Sequence, residues 1–167
     1  MRIGACLLFL AATAAQGARA QNWDRYRPGT LKAVTDQHDS SVCAGTTSSI
    51  PNLAISGDDF ARTARVIFVG QHRPISPERV ELLRMWVKAF RMDSSIIVQF
   101  PNEYLFREGG QEHWLPVQAV LEHALAQEAK PGQVIDLLVI FIGGRCAGGA
   151  PTWLFLVNEF DARASSG

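Results

Sequence analysis

The cysteines constrain the fold of this chain more than any other feature of its sequence. Of the three cysteines, Cys6 lies in an N-terminal segment with the pattern of a cleavable export signal, so Cys43 and Cys146 remain. An even pair in an exported chain predicts a disulfide bond, with a free Cys146 nucleophile and a bond between two chains as alternatives. The disulfide would close a loop of about 100 residues and contribute on the order of 4–5 kcal/mol to stability.

Residues 1–20 have the three parts of a secretory signal peptide. Arg2 supplies positive charge, residues 3–15 are apolar and uncharged, and Ala18 and Ala20 provide the small residues that signal peptidase recognises. The apolar stretch is shorter than the roughly 20 residues of a membrane span. A lipoprotein signal is not expected, because Cys6 lies near the start of that stretch. We therefore expect cleavage after Ala20, export to the periplasm or extracellular space, and no membrane anchor in the mature chain.

The size and charge of the mature chain restrict its class of partner. Without the signal, the chain has the length of one ordinary domain with a self-sufficient core. The full sequence has 16 basic and 16 acidic residues, and removal of Arg2 and Arg19 leaves it slightly negative. Because no basic stripe is present, we do not expect nucleic acid as a partner.

The apolar pattern divides the mature chain into three parts. Residues 21–60 mix aspartates with Ser, Thr, Gly and Pro and have no persistent apolar period, which predicts an irregular arm anchored at Cys43. Residues 61–160 carry clear strand and helix signals and form the predicted single α+β domain. Residues 161–167 are a tail that we expect to fray.

Within residues 61–160, apolar periodicity and turn residues predict seven elements. Ser76 is a good helix N-cap and Pro77 suits the first helical position, while the pair Gly109–Gly110 indicates a two-residue hairpin turn. In chain order, the elements are a strand at 64–69, a helix from Pro77 to about Met92, a strand that runs from 96–100 through an interruption at Pro101 and Asn102 to 103–107, a strand at 111–115 that forms a hairpin with it, a helix whose apolar face is Val117, Val120, Leu121, Ala124 and Leu125, a strand at 134–142 and, after a glycine-rich turn at 143–151, a strand at 152–160.

The order β-α-β-β-α-β-β places the domain in the α+β class. Its first six elements match the ferredoxin-like split βαβ pattern, with one extra C-terminal strand. The alternative is a cystatin-like or cone-shaped curved sheet whose hairpins wrap one helix. The hairpin turn also fixes a register in which Leu105 faces Trp114 and Arg107 faces Glu112 as a favourable charge pair.

No motif in the sequence specifies a catalytic reaction. The chain lacks the G-x-S-x-G of serine hydrolases, its histidines lack the spacing of metal ligands, and its glycine-rich turn lacks the ending of a phosphate-binding loop. We expect no metal and no cofactor. The favoured interpretation is a non-catalytic binding or accessory protein. The alternative is a small secreted hydrolase that uses carboxylate and histidine chemistry.

The candidate ligand site is the predicted loop at residues 70–76, between the first strand and the first helix. His72 and Arg73 lie there beside the unpaired amides of the helix that begins at Ser76, and this combination suits an anion. Trp114, on the hairpin, is the fourth candidate residue. The expected partner is a macromolecule or an anionic small ligand.

Overall fold

The computed structural model describes residues 26–44, 53–55, 61–147 and 150–163, so the predicted signal peptide and its cleavage site lie outside the described residues. The helices are α1 Leu31–Ala44, α2 Pro77–Ala89, α3 Ser95–Val98 and α4 Ala119–Glu128. The strands are β1 Arg27–Pro28, β2 Leu53–Ile55, β3 Ala61–Pro74, β4 Asn102–Glu108, β5 Gln111–Val117, β6 Val134–Ala147 and β7 Ala150–Asp161. None of the helices among these residues is long and apolar enough to cross a membrane.

The strands form one seven-stranded mixed sheet in the order β1-β3-β4-β5-β7-β6-β2, and an additional pairing joins β3 to β6. Strands β3, β4, β5, β7 and β6 therefore close into a ring, with the short β1 and β2 at its margins. The α+β class is confirmed. The ferredoxin-like pairing is not, because β3 pairs directly and antiparallel with β4, whereas a split βαβ unit places another strand between them.

The ring is closed unevenly. Strands β4 and β5 pair along their whole length, and β6 and β7 pair from Ala147 and Ala150 to Asp136 and Asp161. Among the described residues, β5 and β7 share one ladder pair, the parallel pair of Val117 with Val157. On the N-terminal side of this pair the two strands are separated by a cleft, which we call the β5–β7 seam.

Two apolar clusters lie on opposite faces of β6 and β7. One contains Leu137, Val139 and Phe141 of β6, together with residues of α1 and α4. The other contains Ile142 of β6 and Leu154 of β7, packed beneath α2. Because both faces of these strands are buried, their sequences are continuous apolar runs rather than alternating ones.

The prediction that residues 21–60 form an irregular arm is wrong for α1. This helix has an N-cap, because the Thr30 hydroxyl accepts a hydrogen bond from the Ala33 amide at 2.9 Å. Leu31, Val34 and Val42 are buried, and their spacing places them on one helix face. Three apolar positions among polar ones gave too sparse a stripe to predict the helix.

The predicted disulfide between Cys43 and Cys146 is present. Cys43 lies in the last turn of α1 and Cys146 near the end of β6, with Cα atoms 5.1 Å apart. The bond ties α1 to the ring across 103 residues of sequence.

Two further predictions inside the domain are wrong. Residues 96–100 do not form a strand, because the chain turns into α3, where the Asp93 carboxylate accepts a hydrogen bond from the Ser95 amide at 2.8 Å. The backbone hydrogen bond lowers the pKa of Asp93. Val120 does not belong to the buried face of its helix, since it is 79% exposed and α4 begins only at Ala119, after Val117 has ended β5.

The glycine-rich segment 143–151 is mostly strand rather than turn. Strand β6 continues to Ala147 and pairs there with the first residues of β7, and Gly144 lies against Trp153, where a Cβ atom would collide with the indole. The tail is also ordered further than predicted, because Asp161 belongs to β7 and the Ala162 carbonyl accepts a hydrogen bond from Gln133 at 2.6 Å.

The elements specified by local signals are confirmed. Helix α2 begins after Ser76, whose hydroxyl accepts from the Arg79 amide at 3.4 Å. The hairpin has the predicted register, with Leu105 opposite Trp114. Arg107 also contacts Glu112 across the strands at 3.2 Å.

Candidate functional site

A cleft of about 360 Å³ occupies the β5–β7 seam. Its walls are residues 112–115 of β5, Pro151–Trp153 and Phe155 of β7, and the first turn of α2, with Arg73 at the end of β3. A smaller hollow of about 190 Å³ shares Glu78 and Thr152 with the cleft and adds Arg145. The volume of the cleft lies within the range of small-ligand sites.

A buried carboxylate organises the cationic side of the cleft. Glu103 is 0% exposed, and its two oxygens accept hydrogen bonds from Arg73 Nε at 2.5 Å and from Arg79 Nη1 at 3.1 Å. The sheet positions Arg73 directly opposite Glu103 in the β3–β4 ladder, while Arg79 reaches it from the first turn of α2. Two positive charges thus share one buried negative charge.

Arg73 also lies over the indole of Trp114, with its guanidinium carbon 3.9 Å from the ring centroid. This is a cation–π contact, which holds the planar guanidinium in a fixed orientation. The contact spans three strands, because Arg73 extends from β3 past β4 to β5. The Arg73 side chain remains 46% exposed, so part of its fork of N–H donors is available to a ligand.

The described residues leave one donor of Arg79 without an acceptor. Burial lowers the pKa of Arg79, and the neighbouring Glu103 carboxylate opposes this effect. The group remains charged, because the pKa of arginine lies so far above neutral pH. Its Nε atom is buried and has no hydrogen-bond partner among the described residues. An unsatisfied buried donor is costly, so an acceptor supplied by a ligand would relieve that cost.

His113 contributes a second buried nitrogen to the cleft wall. Burial lowers the pKa of His113, and Glu108 raises it by a smaller amount, so the imidazole is neutral at pH 7. Its Nε2 atom is buried and has no hydrogen-bond partner in the described part of the chain. The imidazole faces the interior of the ring of strands because His113 lies opposite the buried Phe106.

The structure brings three of the four sequence-predicted site residues together. Arg73, Ser76 and Trp114 line the cleft, while His72 does not. His72 lies one residue earlier on β3, with its side chain on the opposite face of the sheet, where it stacks on Tyr104 with ring centroids 5.2 Å apart. That these residues bind a ligand stays a prediction.

The predicted loop at residues 70–76 is instead the end of a strand. Strand β3 continues to Pro74, with an irregularity between Phe68 and His72 where Gly70 has a φ of 85°. In the structure the glycine permits a bulge, and the proline lies at the end of the strand.

Sequence reasoning missed Arg79, Glu103, His113 and Trp153. Glu103 and Arg79 carry no local signal, since their pairing joins a strand to a helix 24 residues away. Trp153 did carry one, because an aromatic residue near strand glycines often packs on the backbone that they expose. Comparison with protein-family models, curated proteins and solved structures found no match to this chain.

Proposed function

We propose that this chain is an exported, non-catalytic binding protein that holds an anionic ligand in the β5–β7 seam. The observation that carries the proposal is the buried Arg79 Nε–H, which has no acceptor among the described residues. It lies in a cleft that also presents the Arg73 guanidinium on the Trp114 ring.

The charge balance of the cleft favours a single negative charge on the ligand. Glu103 offers one carboxylate to two guanidinium groups, and Arg145 adds a cation in the adjoining hollow. Glu78 lines both spaces and would repel a dianion. A monocarboxylate would gain charge-assisted hydrogen bonds from the arginines with less of that repulsion.

The same residues argue against hydrolysis. General acid–base chemistry requires a histidine or carboxylate free to exchange a proton with the substrate. Glu103 is occupied by two arginines. Glu112 pairs with Arg107, and its neighbour His113 has no carboxylate hydrogen-bonded to Nε2 in the described part of the chain. Glu78, the remaining carboxylate of the cleft, lies close enough to the Arg79 guanidinium to raise its pKa. The cleft therefore offers donors for binding rather than a paired acid and base.

Export is supported by two independent features. Residues 1–20 have the composition of a signal peptide, and the Cys43–Cys146 disulfide is typical of proteins that function in oxidising compartments. We propose that the protein functions in the periplasm or the extracellular space.

The binding proposal is tested by titrating the mature protein with benzoate and with its neutral analogue benzamide, while following the indole N–H signals by NMR. Benzoate should shift the signals of Trp114 and Trp153 more strongly than benzamide does. The signal of Trp86, which lies on α2 two helical turns after Arg79, should not change. The substitution Arg79→Met should weaken the response to benzoate about tenfold, because it removes a charge-assisted hydrogen bond. Arg84→Met, on an exposed position of the same helix, is the matched control. Equal shifts with benzamide, or no loss in Arg79→Met, would contradict an anion site.

A further inference from the structure

We propose that the ligand of the β5–β7 seam is an extended acidic peptide, which adds as a strand between β5 and β7. This inference rests on the proposed binding function and specifies its ligand class. It follows from the direction of the backbone groups that border the cleft.

Among the described residues, the ring has a gap between β5 and β7. Strands β5 and β7 are parallel neighbours joined at Val117 and Val157. Before this pair in each strand, residues 112–115 of β5 and Pro151, Thr152, Trp153 and Phe155 of β7 line the cleft, and the described residues contain no ladder pair between them. Each of these strands is paired along its other edge, β5 with β4 and β7 with β6. Within the described part of the chain, the seam is therefore bordered by two open strand edges.

Alternate residues of β5 present their backbone groups to the cleft. The residues that flank a two-residue turn form a hydrogen-bonded pair, and such pairs alternate along an antiparallel ladder. In the hairpin of β4 and β5, residues 111, 113 and 115 of β5 therefore bond to β4, while Glu112 and Trp114 direct their N–H and C=O groups towards the seam. The bond from the Gln118 amide to the Val157 carbonyl, at 3.3 Å, continues this alternation.

Alternate residues of β7 present matching backbone groups to the same cleft. Because the Val157 carbonyl points to β5, every second residue before it points the same way along a regular strand. The register shift near this point comes from an extra residue of β6, between Phe141 and Gly143. Strand β7 therefore has no extra residue between Trp153 and Val157. Phe155 and Trp153 thus direct their backbone groups into the seam, opposite Trp114 and Glu112.

One strand-like ligand can pair with the backbone groups of both strand edges at the same time. An extended peptide carries alternating N–H and C=O groups on both sides, and it pairs with open edges by strand addition. A small anion satisfies Arg79 but neither edge. An acidic side chain on the peptide supplies the acceptor for Arg79 Nε, and the indoles of Trp114 and Trp153 line the cleft beside its other side chains.

The inference is tested by selecting from a displayed library of random heptapeptides against the mature protein, with counter-selection against its Arg79→Met variant. The selected peptide is then synthesised with single backbone N-methyl groups at each position. Methyl groups on the central residues should weaken binding about tenfold each, because successive amides of an inserted strand donate alternately to β5 and β7 and each methyl group removes one of these hydrogen bonds. Methyl groups on the terminal residues, which lie beyond the paired part of the seam, should have little effect. Exchange of an acidic residue for its amide should weaken binding to the wild type but not to Arg79→Met.

Hydrogen exchange on the complex supplies the second readout. The Trp114 and Phe155 amides should exchange rapidly in the free monomer and become at least tenfold slower with peptide bound. Protection in the free monomer would show that another segment of the same chain fills the seam, and protection that appears only in a dimer would assign it to a second copy. Either result, or central N-methyl groups that leave binding unchanged, would overturn strand addition. The benzoate response would be unaffected by such a failure, so the two proposals are distinguishable.

Discussion

At the scale of single residues, Glu103 is the side chain on which the cleft depends most. It is fully buried between Arg73 and Arg79, so its removal leaves the largely buried Arg79 without its counter-charge. Breaking a buried ion pair by removing one partner costs about 3–5 kcal/mol. We expect Glu103→Gln to lower the free energy of unfolding by that amount, as measured by urea denaturation.

The matched control for this substitution is Glu112→Gln, on the neighbouring strand. Its ion pair with Arg107 is exposed on both sides, and such pairs contribute about 0–1 kcal/mol. A loss in Glu103→Gln no larger than that in the control would show that Glu103 is not the structural centre of the arginine pair.

The histidines give the protein a pH-dependent stability. Burial lowers the pKa of His113 and of His38, so the unfolded chain binds more protons than the folded one below the ordinary histidine pKa of about 6.5. The contribution of these two histidines to the free energy of unfolding is therefore fully present above about pH 6.5. It is lost as the pH falls through that value towards the folded-state pKa values. Thermal unfolding between pH 7.5 and 5 should show this decrease, and His113→Gln should reduce it. His123→Gln, at an exposed position on α4, is the control, and an equal effect from it would contradict the assignment.

The sequence predicted residues of the cleft where a local rule applied. Ser76 was identified by N-cap chemistry and Trp114 by the hairpin register, and both line the cleft. Arg73 was predicted for a different reason, as a loop residue, and in the structure it is a strand residue paired with Glu103. Glu103 itself could not be predicted, because its burial depends on two arginines that the fold brings to it.

At the scale of elements, α1 is held to the ring at both ends. At its C-terminal end Cys43 is bonded to Cys146. At its N-terminal end the Glu108 carboxylate of β4 accepts hydrogen bonds from the Leu31 and Lys32 amides, at 2.9 and 3.0 Å. A carboxylate at this position satisfies two unpaired helix amides and complements the helix dipole.

This contact predicts the effect of removing the Glu108 carboxylate. We expect Glu108→Ala to lower the free energy of unfolding by about 1–2 kcal/mol, the cost of losing a helix cap. Amide exchange in the first turn of α1 should also accelerate while exchange near Cys43 is retained. Uniform acceleration across α1, or none at Leu31 and Lys32, would be inconsistent with a capping role.

The elements also show which sequence signals were sufficient. The Gly109–Gly110 hairpin was predicted to the exact pair, because a two-residue turn sets its own register. The strand predicted at residues 96–100 became α3, since an apolar run this short does not distinguish a strand from a helix. Closure of the ring by β3 and β6 could not be predicted, as their pairing joins residues about 70 positions apart through the packing of the core.

At the scale of the whole molecule, the disulfide is the longest-range covalent constraint among the described residues. It closes a loop with a sequence separation of 103, for which the loop-entropy model gives about 4.7 kcal/mol. The double variant Cys43→Ser/Cys146→Ser should therefore unfold at a lower urea concentration, with a loss of about 4 kcal/mol. Wild-type protein in reducing agent should show a comparable loss, whereas the variant should not respond to the reductant. A response of the variant would mean that the reductant acts elsewhere.

The last prediction connects the disulfide with export. The apolar segment at residues 3–15 and the small residues Ala18 and Ala20 predict cleavage after Ala20, which removes Cys6 and leaves the bonded pair as the only cysteines of the mature chain. Intact-mass analysis of the exported protein should show a chain that begins at Gln21, as glutamine or in its cyclised form, and that gains two hydrogens on reduction. Retention of residues 1–20, or a lipid on Cys6, would contradict cleavage at this site. Two thiols that react with an alkylating agent without denaturant would show that the exported chain does not carry the bond.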